Sequence, residues 1–542
     1  MPTAPAAVPN APSPLQRQLA HGFGLLRQHR YAEAVQLARQ LLQLHPDDVN
    51  VLLLGTDAML ATGNPRQSLA LADRALARSG GDPSVRLRKA RVLAAMRRRR
   101  ELRDIVAEVR AMAGGNGELL WHAGSLCFRN DLVAEAIACL AEAARLLDHP
   151  PALLYELAFS RFYGGDFAAA EADLDRLLAR DPGCGSALYL RACVRQQTPE
   201  RNNVADLRQR LQGSTSARPN DRAAALYALA KELEDLGQDA ASFQALEEGA
   251  RLMRGTFEFD VAAECAGMAE MAEAYDAAFM AAPTPGHQEA GPVFVVGMPR
   301  SGTTLVERLL VQSGQVVSAG EPQDFGHLLL YNSARMRGAD TTRTLAQAST
   351  GLDLAAIGRE YMRGLREIVP GSTLFIDKMP ANFMFCGAIL KALPEARIIH
   401  LVRDPLDSCY AMYKTLFFNM YPFSYDQAEL AGYFVGYRRL MAHWHQVAPG
   451  RILDVHYEEL VTDTEAQALR LYEWCGLPWT ERALETPGAD KVFVTASAAQ
   501  VREPVHRRSV GRALRHREGL AVLAERLAAA PELGWSLPAM AD

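Results

Sequence analysis

A pattern with a period of 34 residues runs through the N-terminal half of the chain. The equivalent positions of successive copies, each in an Ala- and Leu-rich helical segment, hold Ala34, Ser68, Leu102, Ala136 and Ala170. Turn positions keep the same phase, at His29, Gly63, Arg97, Asp131 and Gly165. A bundle without repeats has no reason to keep a fixed period, so the pattern predicts a stacked array of helical units.

This period resembles that of the tetratricopeptide repeat, whose unit is a pair of antiparallel helices. The pattern extends from about Leu15 to Arg254 and loses its phase after Pro182, before one more helix pair restores it. We expect a disordered tail (1–14), a tetratricopeptide-repeat helical domain (15–279), a Pro- and Gly-containing linker (280–290) and a second domain (291–542). The concave face of the array either holds a partner or the substrate, or only supports the second domain.

The C-terminal half alternates short apolar segments with helical ones, which predicts a parallel sheet with helices on both faces. The candidate strands are Val293–Val296, Leu374–Ile376, Arg397–Val402 and Ile452–His456. Candidate helices between them include Leu352–Ile368 and Ala381–Leu393. The expected fold is therefore a helical solenoid followed by a P-loop-like parallel α/β domain, with ligands at the carboxyl ends of the strands.

Length, charge and cysteine usage narrow the class of protein. A chain of 542 residues exceeds one ordinary core, and its net charge of -5 gives no general attraction to nucleic acid or anionic lipid. The eight cysteines include no C-x-x-C pair, which is typical of free thiols in a reducing compartment and predicts a cytoplasmic protein. The sequence also lacks a signal-peptide pattern and an apolar stretch long enough for a membrane span.

The segment VFVVGMPRSGTTLVERLL, Val293–Leu310, carries the clearest chemical motif. An apolar strand leads into a turn bounded by Gly297 and Gly302, and a helix follows. This arrangement points backbone N–H groups at an anion, with the spacing G-x-x-x-x-G of a nucleotide phosphate loop. Thr303 stands where an ATP- or GTP-binding loop has lysine, and the cation comes earlier, as Arg300. The missing lysine disfavours a P-loop kinase.

Three motifs, GMPRSGTT, FIDKMP and LVRDPLDS, resemble signatures of the sulfotransferases. The set is most similar to the branch with the tyrosylprotein sulfotransferases and the bacterial proteins that join tetratricopeptide repeats to a sulfotransferase domain. The resemblance covers roughly Gly291 to Arg517. It implies 3'-phosphoadenosine 5'-phosphosulfate (PAPS) as donor substrate and no metal. A sulfuryl group in transfer carries less negative charge than a phosphoryl group, which is consistent with a cradle of arginine and hydroxyls.

The resemblance implies roles for the loop itself. Arg300 would contact the sulfonate and bridging oxygens with its planar guanidinium. The residues that would cradle the donor through backbone N–H and hydroxyl groups are Ser301, Gly302, Thr303 and Thr304. A phosphate loop for another nucleotide is the alternative interpretation.

Two further residues are implied to act on the reacting groups. Glu321, which lies 21 residues after Arg300, would be the general base that removes the proton of the acceptor hydroxyl. Lys378 follows a predicted strand and would stabilise negative charge on the bridging oxygen. The alternatives are a solvated loop glutamate and a surface lysine paired with Asp377.

The resemblance also implies a site for the 3'-phosphate. Arg403 would bind this group, and a serine is usual eight residues later, where this chain has Ala411. Ser408 lies nearly one helical turn before Ala411, so we expect it to take over that contact. Tyr457 either contacts the nucleotide or packs at a strand end. Candidates from the C-terminal segment that would fold over the 3'-phosphate are Ser497, Arg507, Arg508 and Arg512.

The sequence predicts an enzyme that moves a sulfuryl group to an acceptor hydroxyl, for which protein tyrosine, glycan, lipid and small phenol all qualify. A protein or peptide acceptor would be held by the repeats. The alternative is a non-catalytic repeat scaffold with a degenerate nucleotide-binding domain, and retention of Arg300, Glu321 and Lys378 argues against it. No metal site is expected, because His443 and His445 have no other ligand nearby in the sequence.

Overall fold

A computed structural model of the chain describes residues 12–213, 218–340, 342–369, 371, 373–486 and 503–538. By its internal contacts the chain divides into two compact units, Met1–Leu157 and Ala158–Asp542. The first unit is built from repeat helices, and the second combines the later helices with a β-sheet. The predicted tail lies largely outside the described residues, and the first helix begins at Pro14.

The described part of the chain before the sheet consists of helices, most of them joined by short turns. These helices are α1 (Pro14–Arg27), α2 (Tyr31–Leu44), α3 (Val49–Ala61), α4 (Pro65–Arg78), α5 (Pro83–Ala95), α6 (Arg99–Met112), α7 (Gly117–Phe128), α8 (Val133–Leu146), α9 (Pro151–Gly164), α10 (Phe167–Arg180), α11 (Gly185–Cys193), α12 (Val204–Gly213), α13 (Pro219–Asp235), α14 (Asp239–Arg254), α15 (Val261–Ala274) and α16 (Ala277–Ala281).

The helices keep the predicted period. Helices α2, α4, α6, α8 and α10 begin 34 residues apart. The five equivalent small or apolar positions are each 0 % exposed, as close packing of paired helices requires. The five predicted turn positions all have positive φ, between 56° and 83°, which lets each helix fold back on the one before it. The repeated helix pairs are therefore confirmed.

One parallel sheet forms the centre of the second unit. Its strands are β1 (Pro292–Gly297), β2 (Val316–Ser318), β3 (Leu374–Asp377), β4 (Arg397–Val402) and β5 (Ile452–His456). They lie in the order β2-β3-β1-β4-β5, and every neighbouring pair is parallel. The four predicted strands are confirmed, whereas β2 was not predicted, because three residues are too few to show a periodic pattern.

The remaining elements surround this sheet. The helices are α17 (Thr303–Val311), α18 (Asp324–Arg337), α19 (Leu345–Ser349), α20 (Leu354–Ile368), α21 (Cys386–Ala392), α22 (Pro405–Tyr413), α23 (Gln427–Val447), α24 (Tyr457–Thr462), α25 (Thr464–Cys475) and α26 (Ala521–Ala528). Short 3₁₀ turns lie at Pro380–Phe385, Pro422–Tyr425, Glu481–Leu484, Arg512–His516 and Pro531–Leu533.

The topology places the phosphate loop where a ligand site is expected. The chain builds β2 and β3 on one side of β1 and then crosses to β4 on the other side, so the strand order reverses at β1. In open parallel sheets, ligands bind outside the carboxyl ends of the strands at such a reversal. The sheet core packs against α17 and α25 through Val293, Val295, Ile399, Leu309 and Leu471.

Helices that precede the predicted linker belong to the same compact unit as the sheet. On α13, the Tyr227 hydroxyl donates to Tyr413 O (3.0 Å). On α14, Arg254 donates from Nε and Nη2 to the two carboxylate oxygens of Glu429, each at 2.7 Å. The compact unit thus starts before residues 280–290, and the boundary between sequence domains there stays a prediction.

Two findings concern the cysteines and the apolar character of the helices. All eight cysteines fall in the described ranges and are free thiols. Among the helices described, we find none whose length and apolar character would suit a membrane crossing.

Candidate active site

The phosphate loop joins β1 to α17 and depends on its two glycines. Gly297 and Gly302 have φ of 147° and 110°, values that residues with a Cβ rarely adopt. A Cβ on Gly302 would lie 2.6 Å from the Tyr457 ring, and one on Gly297 would lie 2.9 Å from Leu401 O. The backbone can follow this path only without side chains at these positions. It leaves the first N–H groups of α17, from Thr303 onward, at the carboxyl end of β1.

Arg300 lies within this loop in a left-handed conformation, with φ of 67°. A non-glycine residue at positive φ stores strain, which is common where a loop must aim one side chain. Burial and the neighbouring Arg403 lower the pKa of Arg300, and Tyr189 and Cys193 of α11 act in the opposite direction. Helix α11 of the repeat region therefore lies close enough to the loop arginine to influence its pKa.

Arg403 begins the segment after β4 and ties the loop to two other segments. Its Nη1 donates to Arg300 O (3.0 Å), and its Nη2 donates to Ser509 O (2.6 Å). Its guanidinium carbon lies 4.6 Å from the centre of the Tyr457 ring. Tyr457 thus packs on both Gly302 and Arg403 beside the loop, and its contact with the nucleotide stays a prediction.

Glu321 and Lys378 form an ion pair at the neighbouring strand ends. Lys378, which follows β3, is 1 % exposed and donates from Nζ to Glu321 Oε1. The alternative of a surface lysine is therefore wrong. The backbone also joins the two segments, since Lys378 N donates to Gly320 O (2.9 Å). A third ionisable side chain, Glu307 of α17, places Oε2 3.7 Å from Lys378 Nζ.

The charges of this trio influence one another. Burial raises the pKa of Glu307, and Lys378 acts against this effect. Burial lowers the pKa of Lys378, but Glu321 and Glu307 together outweigh burial and raise it. Lys378 therefore keeps its positive charge inside the protein.

A C-terminal segment, 503–516, is hydrogen-bonded to residues around the loop. Asp407 of α22 accepts from Gly511 N (2.6 Å) and Ala513 N (2.8 Å), which fixes the backbone of this segment. Arg512 Nε donates to Glu234 Oε1 of α13 (2.9 Å). Lys414 donates to both oxygens of the same carboxylate, at 2.9 and 3.0 Å. Burial opposes ionisation of Glu234, yet Lys414 and Arg512 lower its pKa to about 2.

The structure brings the predicted phosphate ligands together only in part. Ser408 is buried on α22, where its N–H donates to Asp404 O (2.9 Å). Arg507 is exposed and donates to Thr462 O (2.9 Å), and Arg508 pairs with Glu503. Ser497 lies outside the described residues. The roles of all these residues toward a 3'-phosphate stay predictions.

Two buried donors in the described part of the site have no hydrogen-bond partner: Ser301 Oγ and Arg403 Nε. Ser301 and Arg403 are 1 % and 9 % exposed, so water does not readily replace a partner there. Unpaired donors beside a glycine-bounded loop fit an anionic group with several acceptor oxygens. The residues present are therefore compatible with a phosphosulfate donor.

Sequence reasoning missed a hydrogen-bond network under the loop. His445 does have other ligand-type groups nearby, contrary to the expectation from sequence, because Asp454 Oδ1 lies 2.7 Å from His400 Nδ1 and 3.0 Å from His445 Nε2. His400 Nε2 contacts the Tyr437 hydroxyl. The strand register pairs His400 with Asp454, and because the two strand sequences do not specify their register, the contact is visible only in the structure. The contacts form a connected hydrogen-bond network without requiring an ion.

Comparisons with known proteins match two parts of the chain. A model described as "Sulfotransferase family" matches residues 292–481, and one described as "Tetratricopeptide repeat" matches residues 25–92. An uncharacterized protein of Aquifex aeolicus (strain VF5) is 32% identical over 247 residues, which are 44% of this chain and 32% of that protein.

Two relatives carry functional names. Protein-tyrosine sulfotransferase 1 of Danio rerio is 24% identical over 237 residues, covering 40% of this chain and 63% of the relative. Omega-hydroxy-beta-dihydromenaquinone-9 sulfotransferase Stf3 of Mycobacterium bovis (strain ATCC BAA-935 / AF2122/97) is 31% identical over 110 residues, covering 19% of this chain and 28% of the relative. The chain spans less than two thirds of the length of each of the three relatives. It carries tetratricopeptide repeats followed by a domain of the sulfotransferase family, homologous to protein-tyrosine sulfotransferases and bacterial sulfotransferases.

Proposed function

We propose that the protein transfers a sulfuryl group from PAPS to an acceptor hydroxyl. The observation that carries the proposal is the Glu321–Lys378 ion pair, held at the strand ends next to a loop that presents Arg300. A carboxylate that can accept a proton and a buried ammonium that can stabilise a leaving oxygen are the two groups that hydroxyl sulfation needs.

The donor would be held by residues of the loop and its neighbours. The N–H groups of Thr303 and Thr304 at the start of α17 would bind sulfonate and phosphate oxygens. Ser301 Oγ and Arg403 Nε are buried donors available for further oxygens. When bound, PAPS supplies the activated sulfuryl group.

Glu321, Arg300 and Lys378 would each have a different role in one in-line displacement at sulfur. Glu321 accepts the proton of the acceptor hydroxyl as its oxygen forms a bond to sulfur. The bond between sulfur and the bridging oxygen breaks at the same time, and adenosine 3',5'-bisphosphate leaves with the bonding electrons. Arg300 and Lys378 stabilise the negative charge that develops on the bridging oxygen. The scheme assigns no role to a metal.

The donor can be tested by calorimetry. We expect adenosine 3',5'-bisphosphate to bind without Mg²⁺ and ATP to bind much more weakly, because the loop has Thr303 where ATP-binding loops carry lysine. Tighter binding of ATP in the presence of Mg²⁺ would contradict the proposal. Nucleotide binding without any sulfuryl transfer would instead favour the non-catalytic scaffold.

We propose a polypeptide acceptor, with tyrosine as the reacting side chain. Names of two relatives refer to protein tyrosine and to a hydroxylated menaquinone, both of which offer a hydroxyl. The repeats favour the polypeptide, because such arrays form long surfaces suited to extended chains. Incubation with radiolabelled PAPS and a cytoplasmic extract, followed by separation of protein, glycan and lipid, would show which fraction is labelled. Label confined to lipid would contradict this choice.

A further inference from the structure

Glu307 is a buried carboxylate to which the proposed mechanism gives no role. It lies on α17, about one turn after Thr303, and is 3 % exposed. Its neighbours Val306 and Leu309 belong to the sheet core. An ionised carboxylate in such a place is costly unless it is paired, whereas leucine would simply extend the apolar surface. The presence of a carboxylate here therefore requires an explanation.

The two oxygens of Glu307 have different surroundings. Oε1 accepts from the Ser318 hydroxyl, which itself accepts from Gly320 N (2.9 Å). Oε2 has no hydrogen-bond donor within the described part of the chain and lies 3.7 Å from Lys378 Nζ. Glu307 is thus fixed on one side and directs its other oxygen toward the ammonium.

Lys378 consequently lies between two carboxylates. Its Nζ donates to Glu321, which is 34 % exposed, and the fully buried Glu307 is slightly too far for a hydrogen bond. An ammonium has three N–H donors and can exchange one carboxylate for the other by a small movement. The titratable groups facing Lys378 are Glu321, Glu307 and the adjacent Asp377.

The reaction would remove one of the two partners. When Glu321 takes the acceptor proton it becomes neutral and holds the ammonium less strongly. We propose that Glu307 is a positioning residue, which retains Lys378 beside the bridging oxygen when Glu321 releases it. This inference rests on the proposed function. Glu307 lies on α17, the helix into which the phosphate loop leads. Lys378 would therefore keep a fixed position relative to the bound donor.

Glu307→Gln tests the proposal, since it removes the charge but keeps the shape and the acceptor for Ser318. We expect kcat to fall about tenfold at an unchanged melting temperature. Adenosine 3',5'-bisphosphate should bind at least about threefold tighter in calorimetry, because one negative charge near the nucleotide is gone. The basic limb of the kcat/KM profile should also move to lower pH, since Glu307 raises the pKa of Lys378.

Two further variants complete the test. Ser318→Ala removes the hydroxyl that donates to Glu307 but leaves the charge of the site unchanged. We therefore expect kcat to fall while nucleotide affinity stays the same. This variant also replaces Glu307→Gln if Glu307→Gln does not fold. Asp173→Asn, a buried carboxylate on α10 paired with Arg161, is the control for the loss of a buried charge. If Glu307→Gln has a nucleotide affinity and a kcat within twofold of wild type and an unshifted pH profile, the inference about Glu307 is overturned and the proposed function is not. Absence of sulfuryl transfer by the wild type would instead overturn the proposed function, while the nucleotide arm would still report on Glu307.

Discussion

The proposed role of Glu321 as general base can be separated from nucleotide binding by a single substitution. Glu321→Gln removes the base but not the cations, so we expect turnover to fall by about 10²- to 10⁴-fold. Affinity for adenosine 3',5'-bisphosphate should stay within about threefold of wild type. Single-turnover kinetics and calorimetry on the same samples measure the two effects. Glu525→Gln, an exposed change on α26, is the control, and undiminished turnover of Glu321→Gln would exclude Glu321 as the base.

Ser408 carries the second prediction at this scale. If its hydroxyl has replaced the serine that the resemblance places at Ala411, Ser408→Ala should weaken nucleotide binding by about 1 kcal/mol, the contribution of one hydrogen bond. Ala411→Ser is the matched comparison, because it restores a hydroxyl at the expected position. Unchanged affinity in Ser408→Ala, measured by calorimetry, would mean that the substitute role is wrong.

Some site residues could be predicted from sequence and others could not. The resemblance picked out both Glu321 and Lys378, but their pairing was not predicted, because Glu321 follows β2, a strand too short to recognise from the sequence, and 57 residues separate the two side chains. Glu307 could not be assigned a role, because a carboxylate in a helical segment normally faces solvent and only the packing of α17 shows that it is buried. The contacts of Arg512 were also unpredictable, since its partner Glu234 lies 278 residues away.

At the scale of elements, α13 and the C-terminal segment are linked through one carboxylate. Glu234 is 10 % exposed and pairs with Lys414 and Arg512, so Glu234→Gln leaves two cations poorly compensated. We expect the free energy of unfolding at neutral pH to fall by about 3 kcal/mol. Urea unfolding monitored by circular dichroism measures this loss. Glu248→Gln on α14, which removes the more exposed pair with Arg222, should cost less than about 1 kcal/mol.

The same pair predicts a pH dependence with a defined sign. Because the folded-state pKa of Glu234 is lowered from 4.5 to about 2, its contribution is fully present above about pH 4.5. It is lost as the pH falls toward 2, where the carboxylate is protonated in both states. The difference in stability between wild type and Glu234→Gln should therefore shrink over this range. A difference that stays constant down to pH 2 would contradict the assignment.

At the scale of the whole molecule, a cavity in the first compact unit is a candidate surface for the proposed acceptor. A cavity of about 650 Å³ lies between helices α3, α5 and α7, and its lining includes Leu87, Arg88, Arg91, Leu126 and Arg129. Arg91 and Arg129 are exposed there, whereas Arg88 is paired with Asp57. The exposed Glu118 also lines the cavity, but Arg91 and Arg129 outnumber it, so the lining keeps a positive excess that suits an acidic extended segment.

The role of this cavity in acceptor binding can be tested by substitutions in the full-length chain. The double variant Arg91→Glu, Arg129→Glu should raise KM for a macromolecular acceptor about tenfold or more, because like charges would face an acidic segment. Sulfation of a small phenol should not change. Arg145→Glu, an exposed change on α8 outside the cavity lining, is the control. Equal effects on both acceptors would mean that the cavity does not bind the acceptor.

The ion pair between Glu234 and Arg512 also limits which part of the chain can be exchanged between proteins by gene fusion. A fusion joined at the predicted linker would carry the sheet and its loop into a new protein but would leave behind Glu234, the partner of Arg512, and Tyr189, whose hydroxyl accepts from Leu416 N (3.0 Å). The transferred part would hold cations without their counter-charge. We therefore expect the smallest portion that evolution or an engineer can exchange intact to begin upstream of α11, well inside what the repeat pattern marks as a separate domain.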